Sequence, residues 1–161
     1  MSKKKIGTIR LSENTFLSDP CYGTESMGND VIKTLPGEYD VFITRSQSKD
    51  IVYKGLVSSV IAVHKDYIKF FKGMPSDDKE DIFCAVDTAC CGIFNGEYYE
   101  KTHTPTDVDE DWYQENVILM DEYKITDGLG VITSSAQSDG CYPVFAEYVG
   151  DEAFAIRIKY L

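Results

Sequence analysis

Tyr142-Pro143-Val144-Phe145-Ala146-Glu147-Tyr148-Val149, then Gly150-Asp151-Glu152, then Phe154-Ala155-Ile156-Arg157-Ile158-Lys159-Tyr160-Leu161 is the stretch that decides the fold. In its second arm Phe154, Ile156, Ile158 and Tyr160 recur at every second position, with Ala155, Arg157 and Lys159 between them. Period two is the signature of a strand, because successive side chains point to opposite faces. Two such arms around a Gly-Asp-Glu turn predict an antiparallel hairpin with an apolar inner face. Removing a core strand of this kind is expected to break the fold.

Similar runs lie upstream. Ile6 to Leu11 alternates weakly, and Tyr39 to Thr44 is β-rich behind a Pro36-Gly37 turn signal. Val57, Val60, Ile61 and Val63 form a β-branched run, Ile82 to Val86 reads as a continuously buried strand, and Gly130 to Thr133 as a short one. Gly92-Ile93-Phe94 before Asn95-Gly96 predicts a strand entering a tight turn, with Tyr98-Tyr99 as the return arm. Helical signals are confined to Lys65–Gly73 and to Asp107–Tyr123, where Asp109, Glu110 and Asp111 favour a helix start. The expected architecture is a single mainly-β domain over 1–161, a β-sandwich or partly open barrel with one or two short helices. Residues 1–5, lysine-rich, and Gly23 to Asn29 are the stretches expected to be mobile.

Composition limits function. The chain has 161 residues, 16 Lys+Arg and 27 Asp+Glu, a net charge of −11. That balance argues against direct binding of nucleic acid or an anionic membrane, since phosphate recognition needs clustered Lys/Arg. No apolar run approaches the roughly 20 residues that span a bilayer. Lys3, Lys4 and Lys5 are followed by no apolar signal-peptide core, so a cytoplasmic protein is expected. Five cysteines, an odd number, then predict free thiols rather than a disulfide framework.

Two segments echo each other: Ser18-Asp19-Pro20-Cys21-Tyr22 and Ser138-Asp139-Gly140-Cys141-Tyr142. Asp before Pro or Gly is a good turn former, because its carboxylate accepts backbone N–H groups. Asp87 interrupts the apolar run Val86–Gly92, and a buried carboxylate there would need partners. Asp19, Asp87 and Asp139 are therefore candidate catalytic residues. As a cluster they would bind a divalent cation or raise the pKa of one member, Asp87 being the expected buried one. As turn formers they are structural. Cys21, Tyr22, Cys91, Tyr98, Cys141 and Tyr142 are candidate binding residues around these turns. There is no Cys-x2-Cys knuckle, and Cys84-x2-Asp87-x2-Cys90, though ligand-like in type, would put Cys84 and Asp87 on opposite faces of a strand. His64 is expected at a strand end and His103 in a solvated loop; a Cys–His nucleophile pair with Cys21 or Cys141 has no local signature. Asp107, Asp109, Glu110, Asp111 and Glu115 lie in an acidic run without Lys or Arg, which is either solvated surface or a partner patch.

The order Asp19-Pro20, Pro36-Gly37-Glu38-Tyr39-Asp40-Val41, Val86-Asp87 to Cys91-Gly92-Ile93-Phe94 and Asp139-Gly140-Cys141-Tyr142-Pro143-Val144 resembles the DUF4241-like group of bacterial and phage proteins. Three positions depart from that pattern: Ala89 and Ser138 where it carries Gly, and Asn95 where it carries Asp. The resemblance implies a compact β-rich intracellular protein, encoded by a phage or mobile element, and supplies no reaction.

The expected function is a non-enzymatic binding module for a host protein or small ligand, motivated by the acidity and the eleven Tyr. Its expected location is the cytoplasm of the host cell, with no cofactor. The hairpin edges would permit a homodimer. The alternatives are a hydrolase using Asp19, Asp87 and Asp139, with or without a divalent cation, and an acidic nucleic-acid mimic.

Overall fold

A computed structural model of the chain describes residues 3–73 and 82–161. Its strands are β1 (Lys3–Leu11), β2 (Asn14–Ser18), β3 (Asp30–Lys33), β4 (Gly37–Arg45), β5 (Val57–His64), β6 (Ile82–Val86), β7 (Cys90–Asn95), β8 (Tyr123–Thr126), β9 (Gly130–Ser134), β10 (Gly140–Val149) and β11 (Glu152–Lys159). The helices are α1 (Gly96–Thr102) and α2 (Glu110–Tyr113), the latter continuing as a π turn over Gln114–Ile118. A 3-10 turn spans Lys65–Tyr67. The strands form two antiparallel sheets in the orders β1-β4-β5-β11-β10-β6 and β3-β2-β7-β9-β8. The fold is thus mainly β, as the period-two runs predict, and takes the sandwich form.

Between the sheets lie Ile9, Leu17, Val41, Ile43, Val60, Ile93, Val131, Val144, Ile156 and Ile158, all buried. Alternation explains the layer: each strand turns every second side chain inward. A second cluster of Phe16, Phe94, Tyr98, Tyr99, Trp112 and Val117 sits where α1 and α2 cover the outer face of the smaller sheet. On the outer face of the larger sheet Phe42, Ile61, Val63, Phe71 and Ala155 form a third.

The terminal hairpin pairs as expected, Val144 opposite Ile158 and Ala146 opposite Ile156. A bulge at Glu147/Tyr148 shifts the register there, so Phe154 joins the outer cluster while Ile156, Ile158 and Tyr160 face the main core. β11 is paired on both sides, by β5 and β10, and β10 is paired with β6 over Gly140–Val144. The edges that the sequence offered for a homodimer are therefore occupied along most of the hairpin.

Four expectations change. Lys3 to Lys5 are not a loose start: they pair with Thr44, Ile43 and Phe42 in β1, and Lys3 Nζ lies 4.9 and 4.8 Å from the Phe42 and Phe71 ring centres. Met1 and Ser2 lie outside the described residues. Gly23 to Asn29 is tied down, with Thr24 N–H donating to Thr104 O and Glu25 N–H to Pro105 O. Tyr98 and Tyr99 are in α1 rather than a return strand, because Asn95 Oδ1 accepts Tyr98 N–H at 3.2 Å and so caps a helix. Finally, β6 alternates in burial, since among the described residues it pairs with β10 alone, at a sheet edge.

The thiols differ as well. Cys84 on β6 and Cys91 on β7 form a disulfide that joins the two sheets through the core, while Cys21, Cys90 and Cys141 are free. Inward-facing positions on opposed sheets brought the pair together, a relation invisible in a cysteine count.

Candidate functional site

Two of the four places where the chain changes sheets are neighbouring corners. Asp87-Thr88-Ala89 links β6 to β7, and Ser135 to Asp139 links β9 to β10. Asp19, just past the end of β2, packs against the first of them.

Asp19 is fully buried, and both its oxygens are occupied. Oδ2 accepts Asp87 N–H at 2.8 Å and Thr88 N–H at 2.7 Å. Oδ1 accepts Cys21 N–H at 2.9 Å and the Thr88 hydroxyl at 2.7 Å. A buried carboxylate is tolerable when hydrogen-bonded in this way. Asp139 plays a similar part from the second corner. Its Oδ1 accepts Ala89 N–H at 3.2 Å, and Ser135 N–H donates to Ala89 O at 2.9 Å. The three aspartate segments therefore do come together, around one turn. The roles are exchanged relative to expectation: Asp19 is the buried member and Asp87 the exposed one. Asp87 Oδ2 accepts the Tyr22 hydroxyl at 2.7 Å. Burial, then that bond, raises the Tyr22 phenol above its ordinary value.

Ala89 and Ser138, the two positions where the resembled pattern carries Gly, have φ of 57° and 70°. That is the left-handed region, which glycine enters at no steric cost and other residues do not.

Surrounding groups are similarly committed. Burial, with Asp19 second, pushes the Cys21 thiol up to about 12 and the Cys90 thiol up to about 11, so both stay protonated at neutral pH. His103 is buried rather than solvated. It stacks on Tyr99 at 3.8 Å between ring centres, with Nε2 2.9 Å from Pro20 O and Nδ1 2.9 Å from the Thr102 hydroxyl and 3.1 Å from Tyr99 O. His64 ends β5 as expected, with Nδ1 accepting Asp66 N–H and Nε2 3.2 Å from Pro36 O. Neither imidazole has a ring nitrogen left to serve a cysteine nucleophile. Among the described residues no three His, Cys, Asp or Glu side chains are grouped to hold a metal ion.

The other sequence candidates divide by burial. Cys91, Tyr98 and Tyr142 are buried. Tyr98 is held by Trp112 Nε1 and Asp127, each at 2.7 Å, and the Tyr142 hydroxyl donates to Ser138 O. Cys21 and Tyr22 are half-buried and Cys141 exposed. Cys141 lines a 340 Å³ depression with Asp139 and Lys159.

The acidic run also divides. Asp109 caps α2 by accepting Trp112 N–H at 2.8 Å, and Asp107 accepts Val108 N–H. Glu110, Asp111 and Glu115 are exposed. Asp107, Val108, Glu110 and Tyr113 line a surface groove of about 360 Å³. Tyr113 is the link the sequence did not reveal: it reaches Thr88, and burial raises its phenol above the ordinary value. The acidic groove and the aspartate turn are thus neighbours on one surface, joined through Tyr113 and Thr88. Ile118 and Leu119 stand exposed beyond the groove.

No family model matches the chain, and no curated protein or solved structure matches it. No helix among the described residues is long and apolar enough to cross a membrane.

Proposed function

We propose that the chain is a non-enzymatic binding module that takes a basic segment of a partner protein on the acidic groove of Asp107, Glu110 and Tyr113. The observation that carries this reading is the junction of that groove with the Asp87–Tyr22 turn. Among the described residues Asp107 and Glu110 are in no ion pair, and Tyr113 stands beside them, the arrangement that suits a Lys or Arg side chain. Exposed Ile118 and Leu119 add apolar contact next to the charge. The eleven Tyr of the chain fit the same reading only in part, since several are buried.

A hydrolase built on Asp19, Asp87 and Asp139 is less well supported. Asp19 already accepts four hydrogen bonds, and a carboxylate so occupied is a poor base or ligand. A nucleic-acid mimic is weakened by the diversion of Asp109 into a helix cap and of Glu122 into a bidentate pair with Arg45.

The test is titration of a fluorescent lysine-rich peptide. Neutralising Glu110, Asp111 and Glu115 together (E110Q/D111N/E115Q) removes three exposed charges. At about 0.5 kcal/mol each the expected loss is roughly tenfold in affinity. Glu100→Gln, an exposed control on α1, should bind like the parent chain. Equal binding by the triple variant, or no binding by the parent, overturns the proposal.

A further inference from the structure

We propose that the Cys84–Cys91 disulfide is a reversible lock on the loop that carries Asp87, so that a dithiol reductant loosens the candidate binding surface without unfolding the sandwich. This rests on the reading above in that it regulates the same surface. The bond spans seven positions in sequence, and the ring it closes contains the whole Asp87-Thr88-Ala89 turn. Those three residues supply the N–H groups held by Asp19 and Asp139. Ring closure therefore acts on the one segment through which three parts of the chain meet.

β6 is a short edge strand. It has five residues, pairs among the described residues with β10 alone, and leaves Phe83 exposed at the sheet edge. β7, in contrast, lies between β2 and β9. Opening the disulfide therefore frees the β6 side of the turn while β7 stays in place. The core accommodates both states. Cys84 and Cys91 are fully buried among apolar side chains, and a buried thiol behaves as a small hydrophobe.

The chemistry balances simply. Two electrons and two protons pass from the dithiol to the Sγ–Sγ bond, giving two protein thiols and the reductant's own disulfide. Exchange inside the protein is disfavoured. Cys90 lies inside the ring, beside Cys91 but on the opposite face of β7, and it and Cys21 are held in the protonated, unreactive form.

The experiment uses the full chain, purified without reductant and then treated with dithiothreitol. Thiols counted under denaturing conditions should number three before reduction, namely Cys21, Cys90 and Cys141. Five before reduction overturns the proposal. Amide exchange is then followed residue by residue. After reduction the Asp87, Thr88 and Ala89 amides should exchange at least tenfold faster, while those of β4 and β5 keep their rates. Unchanged exchange at the turn, or a general loss of protection, overturns the lock. Cys84→Ala with Cys91→Ala should copy the reduced form; should it fail to fold, the chemically reduced parent decides. The lysine-rich peptide should bind the oxidised form more tightly, and equal binding by both forms overturns the regulatory claim. If the peptide binds neither form, the acidic-groove reading fails, and the exchange rates still decide whether the turn is locked.

Discussion

Asp19 joins the end of β2 to the β6–β7 turn through one buried carboxylate. It gathers two backbone N–H groups from the Asp87–Thr88 turn, one from Cys21, and the Thr88 hydroxyl. Asp19→Asn keeps the shape, removes the charge and turns one acceptor into a donor facing N–H groups. A buried donor left without a partner costs about 1–3 kcal/mol, and charge-assisted bonds are stronger than neutral ones. We expect Asp19→Asn to destabilise the fold by about 2–4 kcal/mol in urea unfolding. A neutral or stabilising effect would mean that the carboxylate is kept for chemistry rather than architecture. The sequence pointed to Asp19 correctly as a turn former, through Asp-Pro. It pointed to Asp87 as the buried member because apolar residues flank it, yet the chain turns there and carries Asp87 out to solvent. Flanking hydrophobicity reports the strands on either side, not the corner between them.

At the scale of elements, β-rich and β-branched runs located β4, β5 and β9, and period-two alternation located the second arm of the β10–β11 hairpin. Alternation follows from backbone geometry and needs no partner to be visible. It failed where one local signal serves two structures. Asn-Gly opens a tight hairpin turn and also caps a helix, and only the covering of Phe94 by Tyr98, Tyr99 and Trp112 selects the helix. The same covering buries His103, which looked like loop from its Thr and Pro neighbours. α2 shows a cap that was legible as an acidic start without its specific partner. Asp109 accepts Trp112 N–H, and Trp112 anchors the outer cluster. Asp109→Ala should cost about 1 kcal/mol, as lost caps do, read as a lower midpoint in thermal or urea unfolding. The same substitution should leave peptide affinity nearly unchanged, in contrast to the loss expected when Glu110, Asp111 and Glu115 are neutralised.

For the molecule as a whole, the net charge of −11 proves less informative than where its parts are bound. Asp19 is consumed inside the fold, and Asp109 and Glu122 are engaged in a helix cap and in a pair with Arg45, whereas Glu110, Asp111 and Glu115 face solvent. Acid sensitivity has a named internal source. Burial lowers the His103 pKa below its ordinary 6.5, because the charged ring is disfavoured between Tyr99 and Trp112. A depressed folded-state pKa means that the unfolded chain binds the proton more readily. The contribution of neutral His103 is then fully present above about pH 6.5 and lost as pH falls toward the folded value. Stability measured between pH 7 and pH 5 should therefore fall, and His103→Gln should flatten that part of the curve even if it lowers the plateau. An unchanged slope in the variant would place the acid response elsewhere.

The β6–β7 and β9–β10 corners, two of the four where the chain passes between sheets, have a mechanical consequence. Ala89 on one is bonded to Asp139 and Ser135 on the other, and Asp19 pins the first from β2. Sliding of one sheet over the other would have to shear these bonds first. A partner seated across the Asp87–Tyr22 surface would act as a brace against that shear. Its arrival would be felt as slowed breathing of strands it never touches, because binding to the closed form alone makes every opening that distorts the corner rarer.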